Sequence, residues 1–111
     1  MNKNKTNVLV IGGSGFLGSH VADFLSDQNF NVRIFDCKKS EYLRDDQEMF
    51  IGDILNRDDL YSAAKDCKYI YNFAGIADIG EAQLNPLATT KLNILGNNYA
   101  LDVARELKIK R

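Results

Sequence analysis

The stretch Val8-Leu9-Val10-Ile11-Gly12-Gly13-Ser14-Gly15-Phe16-Leu17-Gly18 decides how this 111-residue chain folds. Its first four residues are apolar and mostly β-branched, the pattern of a strand buried on both faces of a parallel sheet. Three glycines follow at the spacing Gly12-x-x-Gly15-x-x-Gly18, and an amphipathic helical pattern continues to about Leu25. Strand, glycine turn and helix in this order give each glycine a physical task. Gly12 allows a tight turn off the strand, Gly15 leaves the backbone bare for a close approach, and Gly18 lets the helix lie near the sheet. The helix that starts here turns free amides and a positive dipole end toward the turn, an arrangement that suits a phosphate. The spacing differs from G-x-G-x-x-G by one extra residue between the first two glycines, and small residues at helical spacing also serve plain packing. The strand before the turn and the helix after it make the stretch read as a nucleotide site.

Working outward, composition sets the frame. The chain is 45% hydrophobic and 26% charged with a net charge of −1, ordinary for one soluble domain with a real core. Nothing in that balance calls for a nucleic acid or a membrane as partner. No apolar run approaches membrane-spanning length, and Met1-Asn2-Lys3-Asn4-Lys5-Thr6 lacks the apolar segment of a signal peptide. A cytoplasmic location is therefore expected, and Cys37 and Cys67 read as free thiols. A two-cysteine metal site would need histidines, and His20, the single one, falls in the first helix as a surface or packing residue.

After a polar lead-in over residues 1–6, the chain alternates strand and helix. A second strand over 30–35 is closed by Asp36, 18 residues beyond Gly18. An acid at the end of a second strand can accept hydrogen bonds from adenosine ribose hydroxyls and repel a 2′-phosphate, which favours NAD over NADP. Lys38 and Lys39 would soften that preference, and a solvated acid opening a loop is the plain alternative. Residues 37–48 read as a loop with a short helical turn around 41–44. Met49-Phe50-Ile51 reads as a strand ending in Gly52-Asp53-Ile54. Asn56 is placed to cap a helix to about Lys65, with Asp58 and Asp59 in its first turn. Tyr69-Ile70-Tyr71-Asn72-Phe73 is the fourth strand, followed by Ala74-Gly75. A loop over 76–84 then leads to Asn85-Pro86, a cap followed by proline at the first helical position. One helix is expected from there to about Leu107. Its apolar residues are too many for one stripe, so one side should pack on the sheet and the other meet a partner subunit or further chain.

Repeated βα units imply right-handed crossovers and a parallel sheet: an α/β, Rossmann-like doubly wound fold, incomplete, with about four strands. The glycine turn, Asp36, Gly52-Asp53-Ile54 and Asn72-Phe73-Ala74-Gly75 in this order resemble the short-chain dehydrogenase/reductase superfamily. The best match is its extended branch, the NAD-dependent nucleotide-sugar epimerases and dehydratases, over about residues 7–110. The resemblance implies NAD as cofactor, with Gly12, Gly15, Phe16, Leu17 and Gly18 along the pyrophosphate and Asp36 on the adenosine ribose. It places Asp53 and Ile54 at the adenine, and Ala74, Gly75 and Ile76 at the middle of the cofactor. Asn93, in Lys91-Leu92-Asn93-Ile94-Leu95-Gly96, matches a helix asparagine that helps order the site. From the residues alone, Asp53 also reads as a turn cap and Asn93 as a buried polar helix residue.

The family's chemistry is hydride transfer to NAD at a sugar carbon, assisted by a tyrosine and a lysine four residues later. Tyr61-Ser62-Ala63-Ala64-Lys65 has that spacing, yet it lies in the crossover helix before the fourth strand, where residues at i and i+4 are ordinary neighbours. The family's pair lies beyond the Asn93 helix and a further strand. The expectation is thus a domain over 7–111 that binds NAD, stops short of the catalytic Tyr/Lys region and is inactive alone. The alternative is a non-catalytic, dinucleotide-responsive regulatory or interaction module. An open outer edge on the fourth strand, or the last helix, would favour self-association.

Overall fold

The computed structural model describes residues 4–75 and 83–110. In chain order these form β1 (Asn7–Ile11), α1 (Phe16–Asp27), β2 (Asn31–Asp36), β3 (Gln47–Ile51), α2 (Arg57–Ala64) and β4 (Tyr69–Asn72). A final helix then runs as α3 (Pro86–Thr90), a π-helical turn (Lys91–Leu95) and α4 (Gly96–Glu106). The four strands form one parallel sheet in the order β3-β2-β1-β4. The chain therefore grows outward from β1 in one direction and then reverses to add β4 on its other side. That reversal is the switch point at which open α/β sheets hold ligands.

β1 occupies the centre as its apolar run requires. Val8, Leu9 and Val10 are fully buried and Ile11 is 1% exposed. Because side chains alternate along a strand, Val8 and Val10 join Val32, Ile34, Ala22 and Leu25 beneath α1. Leu9 and Ile11 face the other way, into a core with Phe35, Leu60, Ala63 and Val103 beneath α2 and α4. Arg33 shares that second face, and its guanidinium stays there by donating to the carbonyls of Ala63 at 2.6 Å and Lys65 at 3.0 Å. A cation on the last carbonyls of α2 is favoured by the helix dipole. Ion pairs tie the outer elements together: Arg44 joins Asp23 and Asp27, while Arg57 joins Asp102 and Glu106.

Several boundaries differ from the sequence reading. Residues 41–44 form no helical turn: 41 and 42 make a turn, and 43 and 44 are irregular. Ser40 instead accepts the Tyr42 N–H at 3.1 Å, the local side-chain bond by which serine competes with helix. β3 begins two residues early, at Gln47, whose buried side chain donates to Asp23 and Ser26 of α1. α1 runs on to Asp27 and ends before Asn29, which takes a positive φ of 72°. Asn56 caps α2 as expected, accepting from the N–H groups of Asp58 and Asp59. Asn85 makes no such side-chain bond, although Pro86 does open the helix.

The last helix carries the largest difference. At Lys91–Leu95 it widens into a π turn, with the Gly96 N–H bonding Lys91 C=O five residues back. Gly96, Ala100 and Val103 are buried beyond it, whereas Leu87 and Leu101 are each 69% exposed and Ile94 is 59% exposed. One side is covered by the sheet layer and α2; the opposite side is bare. At the outer edge of β4, Lys110 N–H donates to Lys68 C=O at 2.9 Å. Among the described residues no helix is long and apolar enough to cross a membrane.

Candidate functional site

The carboxyl ends of the four strands converge on one cleft of about 280 Å³. The backbone ladder continues past the strands into its walls. Gly12 N–H donates to Phe35 C=O at 2.8 Å, Phe73 N–H to Ile11 C=O at 2.8 Å and Gly52 N–H to Asp36 C=O at 3.0 Å. The glycine turn, Asp36, the segment after β3 and the segment after β4 are thus held side by side by main-chain bonds.

The turn itself needs glycine at two positions. Gly12 has a φ of +77°, and a Cβ there would lie 2.7 Å from the Ala74 nitrogen. A Cβ on Gly18 would lie 2.3 Å from the Gly12 carbonyl oxygen, so α1 could not start so close to the strand. Gly15 differs, because a Cβ there would meet only the Gly12 carbonyl at 3.5 Å. Gly15 is also the N-cap of α1, with no side chain to close the first-turn amides and no acid in that turn. Those amides carry partial positive charge toward the cleft mouth.

Asp36 lies opposite. Its Oδ2 accepts the Ser14 N–H at 3.1 Å and its Oδ1 accepts the Cys37 N–H at 2.7 Å. Ser14 also donates its hydroxyl to Lys38 C=O at 2.7 Å, joining the glycine turn to the loop after β2 a second time. A carboxylate has about four lone-pair directions, so positions beyond these two main-chain bonds are left for the Cys37 thiol and a ligand's hydroxyls. Asp53 lines the cleft while its Oδ1 accepts the Leu55 N–H at 2.9 Å, so it caps a turn as well as facing the cleft. Ile54 is 6% exposed and forms part of the cleft floor.

Gly12, Gly15, Asp36, Asp53, Ile54, Ala74 and Gly75 all line the cleft. Gly18 lies behind the turn. Phe16 and Leu17 begin α1 with side chains 78% and 60% exposed, so backbone amides are what they offer to the site. Asn93 stands next to the cleft, with its Oδ1 3.0 Å from where a Cβ on Gly75 would be. Ile76 lies outside the described residues. Tyr61 sits on α2 and Lys65 caps its end, where Arg33 bonds the last carbonyls and the chain leads into β4. Lys65 is therefore near the amino end of β4, and neither residue lines the cleft.

The structure adds Ser14, Cys37 and Leu92 to the site. The bond from Ser14 N–H to Asp36 had no sequence signal beyond the position of Ser14 inside the glycine turn. Cys37 is free and exposed, and desolvation, then its hydrogen bond to Asp36 and the charge of Asp36, raise its thiol pKa.

A glycine turn and an acid on neighbouring parallel strands, beside a switch point, define a Rossmann-type nucleotide-binding domain. The chain belongs to the NAD dependent epimerase/dehydratase family, whose model matches residues 8–111. It is 29% identical over 102 residues to a sterol-4-alpha-carboxylate 3-dehydrogenase, decarboxylating, from Mus musculus, covering 92% of this chain and 27% of that enzyme. It is 28% identical over 127 residues to a bifunctional UDP-glucose 4-epimerase and UDP-xylose 4-epimerase from Pisum sativum, covering 100% of this chain and 36% of that one. The structure of a UDP-glucose 4-epimerase from Brucella ovis in complex with NAD superposes with a TM-score of 0.86 at 29% identity, covering 94% of this chain and 33% of that chain. The chain spans about a third of the length of the relatives it matches.

Proposed function

We propose that residues 1–111 form the adenosine and pyrophosphate side of an NAD site in a cytoplasmic oxidoreductase of the nucleotide-sugar epimerase or dehydratase type. The observation that carries this is the bond from Ser14 N–H to Asp36, which sets a doubly accepting carboxylate against an uncapped helix start. The donor set fits the group. Asp36 offers acceptors to ribose hydroxyls, the first-turn amides of α1 offer donors to a pyrophosphate, and Ile54 gives the adenine an apolar floor. NAD, when bound, supplies the hydride acceptor.

These residues hold and orient; they do not supply the proton-transferring group. The Y-x-x-x-K pair of this segment does not line the cleft, so residues 1–111 taken alone are expected to be inactive. The test is calorimetric titration of this segment with NAD⁺ and, separately, NADP⁺, together with a turnover assay on UDP-glucose. Saturable NAD⁺ binding that weakens in Asp36→Ala, with no turnover, is the expected result. A folded protein that ignores NAD⁺ would defeat the binding proposal, and measurable turnover would defeat the inactivity clause.

A further inference from the structure

Three asparagines surround the segment that follows β4. Asn72, the last residue of that strand, accepts the Ala74 N–H on its Oδ1 at 3.0 Å and donates its amide to Asn97 Oδ1 at 2.6 Å. Asn97 donates its own amide to Asn93 C=O at 3.4 Å. Asn93 belongs to the π turn and faces Gly75, whose φ of +155° is one that side-chain-bearing residues rarely adopt. Ala74 and Gly75 wall the cleft, and so does Leu92 of the same π turn. Two elements far apart in sequence therefore form one wall, and Asn97 makes a side-chain connection between them.

We propose that Asn97 is a positioning residue for the dinucleotide site, acting without touching the cleft. Its Oδ1 orients Asn72, which turns the acceptor of Asn72 onto Ala74 N–H and fixes the strand-end loop. Its amide holds the carbonyl of Asn93, where the π turn has displaced the regular helical ladder by one residue. Together these bonds set the spacing between Gly75 and Asn93. The adenosine end of the site lies over β2 and β3 and uses none of these groups. Loss of Asn97 should therefore affect a ligand that reaches past the pyrophosphate and spare one that stops there. π turns occur often at functional sites, and this one has a side-chain bond to the neighbouring loop.

The inference rests on the dinucleotide reading above, and the experiment separates the two. Wild type, Asn97→Ala and Asn97→Asp are titrated with NAD⁺ and with ADP, and folding is checked by circular dichroism. Asn97→Ala should weaken NAD⁺ about five- to tenfold, the size expected for one or two neutral hydrogen bonds, and change ADP affinity less than about twofold. Asn97→Asp keeps the acceptor for Asn72 and should recover part of the loss. If NAD⁺ and ADP weaken together, or neither changes in a folded Asn97→Ala protein, the positioning role is overturned while the dinucleotide reading stands. Wild-type protein that binds neither ligand overturns both.

Discussion

Asp36 and Ser14, 22 residues apart in sequence, are joined by a 3.1 Å hydrogen bond from the Ser14 N–H to the carboxylate. The glycine turn and the end of β2 are therefore one unit, and the acid is oriented before any ligand arrives. Removing the carboxylate takes away charged acceptors worth about 1.5–3 kcal/mol each and releases the turn. Asp36→Ala should weaken NAD⁺ by about tenfold or more. It should weaken NADP⁺ less, because the repulsion of a 2′-phosphate goes with the carboxylate. Parallel titrations with both dinucleotides read the change in preference. An equal loss for the two would show that Asp36 does not distinguish them.

Gly12 and Gly15 should separate folding from binding. A side chain at Gly12 meets main-chain atoms of Phe73 and Ala74 and a positive φ at once. Backbone atoms cannot step aside as a flexible side chain would, so Gly12→Ala should cost about 2 kcal/mol or more in urea unfolding. Gly15 has an ordinary φ of −78° and room for a Cβ. Gly15→Ala should change stability by about 1 kcal/mol or less, the scale of a helix N-cap change. Its effect should fall on dinucleotide affinity, since the methyl would occupy the approach to the first-turn amides. A Gly15→Ala protein with unchanged NAD⁺ affinity would remove Gly15 from the phosphate site.

How much of this was legible in the chain depends on whether local pattern or distant contact decides the feature. β1 was readable because four apolar residues in a row require two covered faces, and both are covered. The place of Asp36 at the end of β2 was readable from the apolar run before it, and the cap at Asn56 from the capping pattern. The π turn was not, because a run of Lys, Leu, Asn, Ile and Leu is equally compatible with a regular helix. Excess apolar residues in that helix were the visible trace of two different faces, one packed and one bare. The Ser14–Asp36 and Asn72–Asn97 bonds join residues far apart in sequence, brought together by sheet order in the first case and by packing of the last helix on β4 in the second. Gln47 starts β3 early for the same reason, since its partners Asp23 and Ser26 lie on α1.

Cys67 gives the fold a measurable pH dependence. Its thiol is buried against Ala63 and Arg33, and desolvation, only partly offset by Arg33, raises its pKa from 9.0 to about 11. The folded state thus keeps its proton where the unfolded chain loses it. The stability due to the neutral thiol is complete below pH 9.0 and falls as pH rises through about 11. The fall should approach about 1.4 kcal/mol per pH unit inside that window. The comparison that isolates this group is with Cys67→Ala, both proteins carrying Cys37→Ser. Urea unfolding from pH 8 to 10.5 should show a shallower decline in the Cys67→Ala protein. Parallel declines would mean that the buried thiol does not drive the effect.

Leu87, Ile94 and Leu101 all belong to the last helix and remain largely exposed. Exposed apolar side chains gathered on one element invite association, because covering each one is worth about 1.5–3 kcal/mol. The outer side of β4 offers a second route, since among the described strands it has a neighbour only on its β1 side. The two routes differ in what blocks them. Charges on the helix, as in Leu87→Lys with Leu101→Glu, oppose helix contacts and leave the strand edge unchanged. Self-association of residues 1–111 is expected to rise with concentration in light scattering and to fall sharply in the double variant. Association that persists undiminished in that variant points to the strand edge. A wild-type protein that stays monomeric across a wide concentration range defeats both routes.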